Sequence, residues 1–274
     1  MKKYICILFL IYYIFFMFEK RNKIINYSNY NLIYNLTNRK KNSEPFNKKV
    51  VYSALFGHYD SVKPFNKQKG FDYFLYTDII INKTNWTILE IPNSIKNFNM
   101  SITKKQRFIK LHPHLFFQKY ELSIYIDTSF IILGDINEFL IRILSPNINI
   151  YVFEHPKRNC IYSEIKAVIK FGKEKKNISL SVGKMLEKIN FPKKIGLSEN
   201  CLIIRRHKEK NCINLMEKWW NYIKSFSERD QLSFNYVVWK TCTKVKYISK
   251  KFALEYFYKK RHLKKKKYTL FDGL

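Results

Sequence analysis

The run Leu122-Ser-Ile-Tyr-Ile-Asp127-Thr-Ser129 is apolar until it ends in a carboxylate. A carboxylate at the end of a buried strand can hold a divalent cation against a diphosphate. The same residue could instead cap the turn that follows. A second run, Val51 to Leu55, leads into Phe56-Gly-His-Tyr-Asp60. Gly57 permits a tight turn there, Tyr59 could stack on a base, and Asp60 could accept hydrogen bonds from it. A third run ends in Tyr76-Thr77-Asp78, where an acid can bind a ribose hydroxyl or a base N–H. For the second and third runs a plain turn is the alternative. Glu154 and His155 end a further apolar run and suit a donor- or acceptor-binding role. Glu199 precedes a strand, as a sugar-binding carboxylate or a surface charge. Asp230 and Gln231 open a helix, as caps or as partners for sugar hydroxyls. His112 and His114 flank Pro113 and read as packing or a helix kink. Trp219 and Trp220 read as core. No GxGxxG and no Walker loop occurs.

These residues need strands and helices that bring them together. Short β-branched and aromatic runs predict strands over Val50–Leu55, Tyr73–Tyr76, Thr87–Ile91, Leu122–Ile126, Ile148–Phe153, Cys201–Ile204 and Val245–Ile248. Helical periodicity predicts Thr103–Lys119, Ile136–Leu144, Ile161–Phe171, Leu180–Ile189, Glu209–Phe226 and Arg229–Trp239, the last with Ser227 as N-cap. This alternation predicts an α/β fold: a mostly parallel central sheet with helices on both faces. Such sheets bind ligands beyond the carboxyl ends of their strands. Those ends are where the acids named above fall.

At 274 residues the chain suits one α/β domain with appendages. Tyr4 to Phe18 is free of charge and flanked by Lys2, Lys3, Glu19 and Lys20. No small-residue cleavage pattern follows it, so residues 1–22 read as an uncleaved signal anchor, a single-pass membrane segment. Positive charge on both sides leaves its orientation open. Sequons at Asn26, Asn35, Asn82, Asn85, Asn99 and Asn177 give weak support to a luminal domain, so the anchor would place the chain on the Golgi or ER lumen side in a eukaryote and at the cell membrane in a bacterium. Residues 23–47 are polar and read as a stem, 48–250 as the folded domain, and 251–274 as a basic tail. The net charge of +30 comes from lysines spread along the chain, which reads as a solvated surface with no nucleic-acid partner. Cys6, Cys160, Cys201, Cys212 and Cys242 form no CxxC, so no zinc site is expected. The last four could be disulfides or buried thiols.

Several of these motifs, taken in order, carry a resemblance. Val51-Tyr-Ser-Ala-Leu-Phe-Gly57, Tyr76-Thr-Asp78, Arg107-Phe-Ile-Lys-Leu-His-Pro-His-Leu-Phe-Phe117 and Tyr125-Ile-Asp127 resemble a glycosyltransferase family with bacterial and plant members, formerly classed as a domain of unknown function. Glu154-His-Pro-Lys-Arg158, Ile161-Tyr-Ser-Glu164, Gly196-Leu-Ser-Glu199 and Arg229-Asp-Gln-Leu-Ser-Phe234 continue the match. The resemblance implies a GT-A type, glycogenin-like fold, a nucleotide-sugar donor, a glycan or other acceptor, and a divalent cation, Mn²⁺ or Mg²⁺. It places the nucleotide at Ala54, Phe56, Tyr59, Asp60, Thr77 and Asp78. It places the donor phosphates at Arg107, Lys110, Asp127, Ser129, Arg158 and Glu199, the metal at Asp127, and the transfer chemistry at Glu154, His155, Asp230 and Gln231. One departure stands out: the usual Asp-x-Asp metal motif is Asp127-Thr-Ser129 here, and serine is a weaker cation ligand. The alternative is a membrane-tethered binding protein on a transferase fold that has lost catalysis.

Overall fold

The computed structural model describes residues 48–57 and 60–259. The expected anchor and stem, and Tyr59, lie outside the described residues. Among the described residues no helix is long and apolar enough to cross a membrane.

The central sheet has seven strands in the order β3-β2-β1-β4-β7-β6-β8. They are β1 (Lys49–Leu55), β2 (Phe71–Thr77), β3 (Thr87–Leu89), β4 (Leu122–Ile126), β6 (Ile150–Glu154), β7 (Ser198–Arg205) and β8 (Lys246–Ile248). The pairings of β1 with β2 and β4, of β2 with β3 and of β6 with β8 are parallel. Only β7 runs backwards, antiparallel to both β4 and β6. Hence the carboxyl ends of β1, β2, β4 and β6 and the amino end of β7 share one edge. Strands buried on both faces need apolar side chains on both, and β1 and β4 are buried along almost their whole length.

The helices are α1 (Asn93–Lys96), α2 (Ile102–Leu111), α3 (Pro113–Phe116), α4 (Ile136–Ile143), α5 (Ile161–Lys170), α6 (Lys176–Lys188), α7 (Lys210–Ser225), α8 (Phe234–Thr241) and α9 (Lys250–Ala253). On one face α2 packs against α7, with Phe108 edge-on to Trp220 at 5.2 Å. Trp219 is fully buried, and its indole N–H donates to Ser233 Oγ at 3.1 Å. The other face holds an apolar core built on Val51, Leu75, Ile124, Ile126, Phe139 and Phe153. Each such side chain is worth about 1.5–3 kcal/mol of burial.

The single helix expected over Thr103–Lys119 is two. Ser101 caps α2 by accepting from the Lys104 N–H, and His112 leaves the helical region (φ −115, ψ 48) because Pro113 follows it. The expected helix Arg229–Trp239 is a 3-10 turn at Asp230–Leu232 followed by α8. Ser233 interrupts it, donating to the Asp230 carbonyl at 3.3 Å. Ser227 is not the cap of α8; its hydroxyl accepts from the Arg229 N–H and donates to Glu174. Cys160, Cys201, Cys212 and Cys242 are free thiols.

The packed chain continues beyond residue 250. A small ribbon, β5 (Phe130–Ile132) with β9 (Phe257–Lys259), joins the chain after Asp127 to residues expected in the tail. Ala253, Tyr256 and Phe257 are buried in this same core. The backbones of Leu133 and Gly134 both donate to the Tyr256 carbonyl, at 2.9 and 3.1 Å. A Cβ on Gly134 would lie 2.8 Å from the Tyr256 ring, so only glycine fits there.

Candidate functional site

Three of the expected donor-site residues meet Asp230 at the carboxyl edge. Helix α2 carries Arg107 and Lys110, which lie three apart on one helix face. β4 carries Tyr125 and Asp127, which lie two apart and so point to the same side of the sheet. The Lys110 ammonium lies 2.6 Å from Asp230 Oδ2 and 4.0 Å from Asp127 Oδ1, and 4.9 Å from the centre of the Tyr125 ring. Lys110 is 1% exposed. Arg107 Nε lies 3.5 Å from the same Asp230 oxygen. Burial pushes the Asp230 carboxyl up, but the Arg107, Lys110 and Arg229 cations together outweigh it and hold it far below the usual carboxylate range. Three cations face two carboxylates, so the cluster has one positive charge to spare.

Asp127 is held from below. The Tyr125 hydroxyl donates to its Oδ1 at 2.8 Å, and the Gln106 amide donates to that hydroxyl at 2.6 Å and to the Ala54 carbonyl at 3.4 Å. Burial and the Asp127 charge push the Tyr125 phenol well up, so it stays a donor at neutral pH. Gln106 and Tyr125 were not among the expected site residues. Two-residue alternation from Asp127 points to Tyr125; nothing local points to Gln106.

The expected nucleotide residues lie on the next two strands, Ala54, Phe56 and Asp60 on or after β1 and Thr77 and Asp78 at the end of β2. Asp78 is exposed, and its Oδ1 accepts from the Gly57 N–H at 2.7 Å, tying together the ends of β1 and β2. Gly57 holds φ +63, which glycine tolerates. Thr77 Oγ1 accepts from the Ile79 N–H, and Asp60 Oδ1 from the Ser61 N–H. Ala54 and Phe56 are buried.

Glu154, His155, Arg158 and Glu199 do not join the Asp127 cluster through any described contact. Glu154 is exposed. The His155 ring accepts the Arg158 N–H at 3.0 Å on Nδ1, and its Nε2 lies 2.9 Å from the Arg158 guanidinium. Burial and the Arg158 charge lower its pKa, favouring the neutral ring. Arg158 Nε in turn donates to the buried Glu164 at 2.5 Å. Glu199 forms an ion pair with Lys250. Gln231 is closer to the cluster. Its Oε1 accepts from Arg229 at 2.9 Å, and its amide donates to the Ser198 carbonyl on β7.

The donor set does not make a cation site on its own. Among the described residues no group of three His, Cys, Asp or Glu side chains is placed to hold a metal. Asp127 already faces an ammonium, and Ser129 Oγ, buried beside it in sequence, has no hydrogen-bond partner.

A mostly parallel sheet that gathers acids and cations on its carboxyl edge is an α/β ligand-binding domain. The chain belongs to the TOD1/MUCI70 glycosyltransferase-like domain family, whose model matches residues 84–266. No curated protein matches it by sequence. Among solved structures it is similar to the WbbM bifunctional glycosyltransferase in its apo form, at 14% identity and a TM-score of 0.46, over 77% of this chain and 40% of that one. It is similar to mouse xyloside xylosyltransferase 1, apo form, at 7% identity and a TM-score of 0.43, over 74% of this chain and 85% of that one. It is also similar to the glycosyltransferase GlyE of Streptococcus pneumoniae TIGR4, at 10% identity and a TM-score of 0.39, over 74% and 45%. The chain thus spans less than half of the WbbM and GlyE chains.

Proposed function

We propose that this domain transfers a sugar from a nucleotide-sugar donor to a glycan or other acceptor. The observation that carries the reading is the cluster of buried Lys110 and Asp230 with half-buried Asp127 at the carboxyl edge. It is built around charge, with its cations in excess, where a helix-covered parallel sheet binds ligands. The nucleotide would lie over the ends of β1 and β2, near Asp60 and Asp78. The diphosphate would face the spare positive charge of Arg107, Lys110 and Arg229, which stabilises the leaving nucleoside diphosphate as the glycosidic bond breaks. Gln231 and Asp230 would border the sugar, with Glu154 and His155 farther along the edge towards the acceptor. We also propose that residues 1–22 tether the domain to a membrane. In that case the chain resists carbonate extraction, and recovery of intact chain in the soluble fraction refutes the tether.

The test of transfer is a donor screen. The purified chain is incubated with UDP-glucose, UDP-galactose and GDP-mannose, with and without Mn²⁺, and release of UDP or GDP is read. Release that is lost in Asp230→Asn supports the reading. Ser129 in place of a second carboxylate favours a binding-only protein, which would bind these ligands and release nothing.

A further inference from the structure

The pairing of β6 with β7 breaks where the sheet meets the site. Val152 pairs with Ile203, but Phe153 pairs with Glu199, so Asn200, Cys201 and Leu202 have no opposite residue on β6. On the other side β7 keeps step with β4. Ile126 faces Leu202, and the Asp127 N–H donates to the Cys201 carbonyl at 2.8 Å. Asn200 is the residue before that Cys201 carbonyl, and Ser129 lies in the turn that follows Asp127.

Asn200 is 2% exposed, and neither its Oδ1 nor its Nδ2 has a hydrogen-bond partner. Among the described residues it is the only buried amide side chain left unpaired at both ends. Ser129 is 1% exposed and its hydroxyl is likewise unpaired. Other buried hydroxyls lack partners too, at Ser53, Ser123, Ser179 and Tyr222. A hydroxyl has one donor to satisfy, where an amide has two. A buried amide with no partner destabilises the fold, and an apolar side chain of the same shape would not. Folding therefore gives no reason for an asparagine here, but a ligand does.

We infer that Asn200 and Ser129 read the hydroxyl groups of the transferred sugar, an inference that rests on the transferase reading above. Both are neutral, and together they offer donors and acceptors, which suits adjacent hydroxyls on a sugar ring. A phosphate would be met by the cations of α2 instead. The base lies elsewhere: β2 and β7 are three strand spacings apart, or about 14 Å at roughly 4.8 Å per strand. The donor then lies along the edge, nucleoside at β2 and β1, diphosphate at β4, sugar at β7.

The experiment is calorimetry on the full chain with UDP, GDP and the nucleotide sugars of the screen, together with thermal melts without ligand. Asn200→Leu is expected to weaken nucleotide-sugar binding tenfold or more, to leave nucleoside diphosphate binding within twofold, and to raise Tm by about 2–4 °C. Ser129→Ala, a smaller change, is expected to weaken only the nucleotide sugar, by at least threefold. A fall in Tm for Asn200→Leu means the amide is paired in the free protein and overturns the inference. So does an equal loss for both ligand classes, or no loss for either in both variants. Wild-type protein that binds neither class overturns the transferase reading itself.

Discussion

Replacing Lys110 by methionine keeps the length of the side chain and removes its charge. Lys110 and the Asp230 side chain are 1% and 6% exposed, and their 2.6 Å contact is screened from water. Breaking a buried pair by removing one partner costs about 3–5 kcal/mol, because the other charge is left behind. Arg107 Nε remains 3.5 Å from Asp230, so the lower end, about 3 kcal/mol, applies. With a urea m-value of about 2 kcal/mol/M, that lowers the unfolding midpoint by about 1.5 M. Adding Asp230→Asn removes the stranded charge and should recover part of the loss. The pH dependence has a definite sign. In the wild type the folded carboxyl is held below its unfolded value, so its stabilisation is complete above the unfolded pKa near 4 and fades only as pH falls through the lower folded one. Without Lys110 the folded value rises, and the deficit of the variant shrinks as acid protonates Asp230. A loss under about 1 kcal/mol in Lys110→Met, or a double variant as unstable as the single, would show that the cluster is not a buried charge pair.

Tyr125→Phe deletes the hydroxyl that links Gln106 to Asp127. It should cost about 1–3 kcal/mol in urea unfolding, and an unchanged midpoint would remove Tyr125 as the support of Asp127. Asp78→Ala should weaken nucleoside diphosphate binding by about 1–3 kcal/mol, measured by calorimetry with the fold intact; an unchanged dissociation constant would take Asp78 out of the nucleotide site. Burial lowers the pKa of His112 to about 4 and of His114 and His207 to about 3, all below the unfolded value near 6.5. The unfolded chain therefore takes up protons first, and stability drops as pH falls below 6.5, by about 3 kcal/mol for His112 alone at pH 4. Equal urea midpoints at pH 7 and pH 5 would contradict three neutral, buried rings. Mn²⁺ added to nucleotide-free protein should show no saturable binding, since one carboxylate facing an ammonium is a poor cage; a tight complex would restore the metal role to Asp127.

The sheet was legible because its strands announce themselves. Leu122–Ile126 carries no charged residue and has the same bounds in sequence and structure. The parallel alternation with helices followed from order alone. The reversed β7 and the bulge before Asn200 were not legible, because strand direction and register depend on partners distant in sequence. Strands β5 and β9 are three residues each, too short for a period-two pattern, and β9 sits against a run of lysines that masks it. In the site, Asp127, Asp230, Lys110 and Arg107 could be named from strand ends and helix spacing, but not their mutual pairing. The resemblance implies a phosphate for Lys110; the fold gives it two carboxylates. Nothing in the sequence sets Asn200 apart from its neighbour Glu199; only the fold gives the acid an ion pair with Lys250 and leaves the amide without a partner.

The β5–β9 ribbon also governs how the protein can be made. Phe130 and Ile132 leave the ribosome before α5, α6, α7 and α8 exist, and their partner strand emerges only after all of them. Until then the nascent chain carries an uncovered apolar edge directly behind Asp127, a site for wrong pairing with another chain. Closing so distant a contact is slow. A ribosome that stalls in the codons after residue 250 therefore releases a chain with every charged residue of the cluster and no stable platform beneath it.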